Sequence, residues 1–194
     1  MNKTFLGAGV ALFAVTLMLS GCSQIDVENT TELQAPAQRS FVYEDTDQTF
    51  HVSGTIAQDW KEQKPANAQS PFIFTAPKTG EEGFNDNINI VRFEFDPGEK
   101  DMTLDDYVAS VNVGMDTQDG FKLISQIKRD VAGYPAIVTT FQTTKYYNGA
   151  LLQFAQTVFK TENEAYFITF SATPEGAATY ENVYTEFLDS LLTK

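Results

Sequence analysis

Along the chain the spacing of apolar residues changes period several times, and each change marks an element. After Gly120 the run FKLISQIKRDV alternates, turns at Ala132-Gly133, and returns as YPAIVTTFQTTKYY. It turns again at Asn148-Gly149 and continues as ALLQFAQTVFKTE, and a third turn at Glu162-Asn163-Glu164 leads into AYFITFSAT. Period-two alternation places successive side chains on opposite faces of a strand, and an Asn-Gly pair between two such runs favours a type I′ hairpin. These segments predict four long consecutive strands in an antiparallel meander. On that pattern Tyr146 and Tyr147 are neighbours on a strand and point to opposite faces, so one of them faces solvent or a partner. They are the candidate binding residues.

Upstream the predicted strands are shorter: residues 41–43 and 49–53 around the turn-forming EDTDQ, then 72–75 and 88–95. In NINIVRFEF the apolar parity changes between Ile90 and Val91. That change predicts either a bulge or a strand covered on both faces. The preceding KTGEEGFNDN has the composition of a surface loop.

Two segments carry the helical period instead. Thr103 can cap a helix through MTLDDYVASVNVGM, with Asp105 and Asp106 in the first turn, where the helix dipole favours anions. Its apolar stripe is Leu104, Tyr107, Val108, Val111 and Met115. Thr173 can cap a second helix with Pro174 at its first position and Tyr180, Val183, Tyr184, Phe187, Leu188 and Leu191 on one face. Short strands, a helix, a long meander and a final helix predict an α+β fold, an antiparallel β-sheet with helices packed on it.

The first 38 residues follow another pattern. A short basic start, Asn2-Lys3, precedes an apolar run over residues 5–19 and the small-residue approach Leu19-Ser20-Gly21 to Cys22. That order is a secretory signal, and the apolar run is shorter than the roughly 20 residues needed to span a hydrocarbon core. Residues 23–38, SQIDVENTTELQAPAQ, are polar and without periodicity, which predicts a flexible tether averaging about 20 to 24 Å. The expected organisation is a signal peptide over 1–21, a modified cysteine and tether over 22–38, and one domain over 39–194.

Composition then removes several kinds of chemistry. Cys22 is the only cysteine, so an intramolecular disulfide is impossible, and with one histidine, His51, a Cys/His zinc site lacks ligands. No base or cation stands near Cys22 to activate a thiol. Leu19-Ser20-Gly21-Cys22 is similar to the lipobox of bacterial lipoproteins. The resemblance implies attachment of diacylglycerol to Cys22, cleavage before it, and a membrane contact through lipid. With 26 acidic residues against 13 basic ones the net charge is -13, which disfavours nucleic acid as a partner.

Catalytic patterns are sparse. Asp47, His51 and Ser53 contain the residue types of a triad, but His51 and Ser53 share a face by simple alternation, and no G-x-S-x-G elbow exists. Phosphate loops and HExxH are absent from the sequence. The remaining candidates are acidic: Glu81, Glu82 and Asp86, and the group Asp96, Glu99, Asp101, Asp105 and Asp106. Loop carboxylates can hold Ca²⁺ or Mn²⁺, which makes Asp101 and Asp105 the metal candidates, but the spacing is not that of an EF-hand. Solvated surface charge is the simpler reading, so no metal and no cofactor is expected. Trp60 reads as a core residue beneath the first strands.

The runs FNDNINIVRFEF, TLDDYVASVNVGM, GYPAIVTTFQT, LLQFAQTVFKTENEAYFITFSA and TPEGAATYENVYTEFLDSLL, in that order, resemble the PsbP-like fold. That fold is shared by the photosystem II subunit PsbP and by bacterial lipoproteins of the DcrB type. The resemblance spans residues 41–192 and rests on element order rather than invariant residues. PsbP carries Pro-x-x-Trp in its early strands. TFHVSGTIAQDWKE keeps Trp60 without that proline, which favours the lipoprotein branch. The resemblance implies a noncatalytic, lipid-anchored envelope protein that binds or assembles with an envelope partner, facing outside the cytoplasm. The alternatives are a hydrolytic or metal-dependent protein using the acidic loops, and a photosystem accessory.

Overall fold

The computed structural model describes residues 37–44, 51–63, 72–77 and 83–193. Cys22, the signal segment and most of the tether lie outside the described residues, as do Asp47, Glu81 and Glu82. Five strands come first: β1 (Gln38–Glu44), β2 (His51–Ala57), β3 (Lys61–Gln63), β4 (Phe72–Thr75) and β5 (Asn87–Glu94). The helix α1 (Leu104–Val111) and a 3₁₀ turn (Met115–Thr117) lead to the meander. Its strands are β6 (Lys122–Val131), β7 (Tyr134–Thr143), β8 (Leu152–Lys160) and β9 (Glu164–Ala172). The helix α2 (Pro174–Ser190) and the short β10 (Leu192–Thr193) follow.

Seven strands form one sheet in the order β3-β4-β5-β9-β8-β7-β6, and β1-β2-β10 form a second. Every pairing is antiparallel. The predicted meander is therefore present, and β5 joins it by pairing with β9, its last strand.

β5 resolves the parity change. Its register with β9 runs without a shift from Asn87↔Ser171 to Glu94↔Glu164, so no bulge lies there. Both faces are covered instead. Ile88 and Ile90 are buried with Phe41, Phe74, Phe170 and Phe187 on the α2 face. Val91 and Phe95 pack against Tyr107, Val108, Ile137 and Phe167 on the α1 face. The bulge is in β6, where pairing with β7 skips Ile124 between Leu123 and Ser125.

Both helices start where the sequence places them. The Thr103 hydroxyl accepts from the Asp106 N–H, and the Thr173 hydroxyl accepts from the Gly176 N–H at 3.0 Å. α1 is shorter than its stripe suggests, ending at Val111, because Gly114 turns left-handed at φ 79° and Met115 enters the 3₁₀ turn. Val111 is consequently 38% exposed. α2 buries Tyr184, Phe187 and Leu188. Phe187 stacks on Phe41 at 5.6 Å and meets Phe74 edge-on at 6.0 Å, joining the small sheet to the large one. Gly54 permits this approach, since a Cβ there would stand 2.9 Å from the Ser190 hydroxyl and 3.2 Å from the Phe41 ring.

Candidate functional site

The two candidate tyrosines mark the end of the large sheet where β7 gives way to β8. The ladder stops at the pair Thr143↔Leu152, leaving residues 144–151 outside it. At the tip Asn148 and Gly149 are left-handed at φ 48° and 78°, and the Tyr147 carbonyl accepts from the Ala150 N–H at 2.8 Å. A turn with the two left-handed residues of type I′ is thus present. The strands do not reach it, because the Thr143 and Thr144 hydroxyls and the Thr144 N–H all donate to the Asp119 carbonyl, at 2.8, 3.1 and 3.0 Å. Tyr146 and Tyr147 therefore belong to the turn and not to a strand, which corrects the expectation of opposite faces. Both are exposed, at 54% and 37%.

Their rings are braced from below. Tyr146 meets Phe154 edge-on at 5.5 Å, with the Lys145 ammonium 5.4 Å from its own centroid, and Tyr147 meets Phe84 at 5.2 Å. Beneath them Phe141 stacks on Phe154 at 5.2 Å and touches Phe121 at 5.6 Å, over the buried Leu152. This aromatic cluster is separate from the two larger ones. It fixes two amphipathic rings at the surface with little side-chain freedom left to lose on binding.

Exposed apolar residues continue from the turn onto β6. Leu151, Leu123 and Ile124 expose much of their surface at this end, while Ile127, further along the strand, is exposed on the opposite face beside α2. Among the described strands β6 has a neighbour on one side only, so its outer row of backbone groups is unpaired within the sheet. A groove of about 220 Å³ runs beside it, lined by Met115, Phe121, Leu123, Gln126 and Thr139.

The acidic candidates are scattered. Asp101 is exposed in the turn after β5, while both carboxylate oxygens of Asp105 face the Lys128 ammonium, at 2.7 and 2.9 Å. Asp106 caps its own helix through Thr103. Among the described residues no three His, Cys, Asp or Glu side chains gather as a metal ion would need. Asp86 is not solvated charge, since it is 8% exposed and its Oδ1 accepts from the Thr173 N–H at 2.9 Å. Burial pushes its carboxyl above the usual range, and hydrogen bonds from Thr173 oppose that only in part. His51 lies across the β1–β2 ladder from Glu44, with Nδ1 3.9 Å from Oε1. Trp60 is in the core as expected, 2% exposed and edge-on to Tyr180 at 5.4 Å. Tyr184, wholly enclosed, shares a 2.7 Å hydrogen bond with Thr157 and donates to the Ile168 carbonyl, and burial raises its hydroxyl far above the ordinary range.

A seven-stranded antiparallel sheet between α1 and α2, with a small second sheet beside α2, defines an α+β sandwich of the PsbP-like kind. Among solved structures it is similar to cyanobacterial PsbP (CyanoP) from Synechocystis sp. PCC 6803, at 13% identity over 91% of this chain and 99% of that one, with a TM-score of 0.52. It is also similar to LpqN of Mycobacterium tuberculosis, described as involved in cell envelope biogenesis, at 11% identity over 81% and 91% with a TM-score of 0.61. A third is PA94 of Pseudomonas aeruginosa, a protein of unknown function, at 21% identity over 76% and 92% with a TM-score of 0.51. At such identities the likeness is one of fold. Neither a protein-family model nor a curated protein matches the sequence.

Proposed function

We propose that the protein is a lipid-anchored envelope protein, facing outside the cytoplasm, whose sandwich is a noncatalytic binding or assembly module. The observation that carries the reading is the braced aromatic turn, Tyr146 and Tyr147, continuous with exposed Leu151, Leu123 and Ile124 at one end of the sheet. Tyrosines are enriched in protein interfaces because a rigid ring covers much area at low entropic cost. The partner is an envelope protein and not nucleic acid, which the charge of -13 repels. The anchor rests on Leu19-Ser20-Gly21-Cys22. Among the described residues no helix is long and apolar enough to cross a membrane. The envelope role described for LpqN supports the same setting.

The test is site-specific photocrosslinking in intact cells, with the probe at Tyr146 or at exposed Asn182 on α2. A discrete adduct with an envelope protein from position 146 alone, lost in Cys22→Ser, supports both halves of the reading. Equal adducts from both positions, or none, overturn the binding surface. Palmitate labelling that persists in Cys22→Ser overturns the anchor.

A further inference from the structure

We propose that the loop between β5 and α1 is a cation-binding site, and that its occupant is the chain's own Lys160 ammonium. Lys160 is the last residue of β8. Its Nζ donates to three backbone carbonyls of that loop: Glu99 at 2.8 Å, Lys100 at 3.2 Å and Met102 at 2.6 Å. It also stands 4.7 Å from the centroid of Phe95 and 5.3 Å from that of Tyr107. An ammonium has three N–H donors, and all three find a carbonyl here. The negative ring faces of Phe95 and Tyr107 add to the surroundings of this half-buried cation.

The loop is folded to present those carbonyls. The Glu99 N–H donates to the Asp96 carbonyl and the Met102 N–H to that of Glu99, at 3.0 and 3.2 Å, which turns the chain around a common point. The Glu99 side chain is engaged with the Asp96 N–H at 2.9 Å, so the convergent oxygens are neutral carbonyls and not carboxylates. Lys100 reaches the opposite way, to Asn163 Oδ1 at 3.2 Å and Glu162 Oε1 at 3.7 Å in the β8–β9 turn. Two lysines thus tie the same pair of segments in opposite senses. Neutral oxygens plus π faces select a monovalent ammonium over a divalent ion, which prefers anionic oxygen. Neither metal candidate supplies an oxygen to it: Asp101 is exposed, and Asp105 faces Lys128.

Shortening the lysine vacates the cage without altering the carbonyls. Lys160→Ala is expected to melt roughly 5 °C or more below the wild type, a large shift for a domain of this size. Propylammonium chloride should restore its melting temperature saturably. Tetramethylammonium chloride, which has no N–H donor, should not, and the wild type should respond to neither. Lys160→Met keeps the stem and removes the charge, so it should also melt early and show faster amide exchange over residues 99–103. Wild-type melting in Lys160→Met overturns the proposal. So does a propylammonium response of equal size in Lys160→Ala and the wild type. If Lys160→Ala does not fold, Lys160→Met decides by the same melting and exchange readouts.

Discussion

Asp86 is a carboxylate shut against the first turn of α2, where its Oδ1 holds the Thr173 N–H. A Cβ added at Gly176 would fall on that carboxylate, so the glycine is dictated by the acid beside it and not by helix propensity. Burial raises the Asp86 pKa, the nearby Glu175 adds to the rise, and the Thr173 hydrogen bonds counter it. The folded chain therefore holds the proton more tightly than the unfolded one. Asp86 contributes most when protonated, and that contribution is lost as the pH rises through its folded-state pKa. Asp86→Asn keeps an oxygen for Thr173 without the charge. Its melting temperature should exceed that of the wild type at neutral pH, with the gap closing as the pH is lowered toward the ordinary carboxylate range. A gap that stays constant with pH would assign the effect to something other than ionisation. Lys160 belongs to the same scale and was illegible in sequence, where a lysine ending a strand looks like any solvated charge. What distinguishes it is the path of a loop 60 residues earlier, and no spacing records that.

Among the elements, those with a local cause were legible. The caps at Thr103 and Thr173 need only the next three residues, and the Ala132-Gly133 turn needs only its own two, left-handed at φ 53° and 83°. β3 was not foreseen, because Lys61–Gln63 are all exposed and polar and become a strand only by pairing with β4. β10 is likewise a strand only through β2. The tyrosine turn misled for a related reason: the alternation of TTFQTTKYY is real, but the Asp119 carbonyl takes the Thr144 N–H, and the ladder ends at Thr143. Phe187 is where elements meet, being 1% exposed between the rings of Phe41 and Phe74. Phe187→Ala should cost about 3–5 kcal/mol in urea denaturation. Since it links the two sheets, fluorescence from Trp60 and far-UV circular dichroism should lose their common midpoint if the sheets then unfold separately.

At the scale of the whole molecule the pattern of elements gave the α+β class, and the structure adds which faces are closed. α1 and α2 cover opposite faces of the large sheet, so β5 and β9 are apolar on both sides, while β6 at the margin stays open. A one-dimensional pattern cannot separate these cases: FKLISQIKRDV alternates as a half-buried strand should, yet its residues 122–128 are all exposed. The candidate surface was legible only as a pair of tyrosines. Leu151, Leu123 and Ile124 join it because the ends of three strands fall together.

The pairing of β5 with β9 also bears on timing. A chain that emerges from its N-terminus has made β4 and β5 some seventy residues before the strand that β5 needs on its other side. The small sheet waits as well, because β10 closes it from the far end of the sequence. Neither sheet can be completed until almost the whole polypeptide is available. A chain ending at residue 163 should accordingly remain protease-sensitive and show no cooperative melting. Native-like resistance in that truncation would mean that the N-terminal half closes on itself by some other pairing.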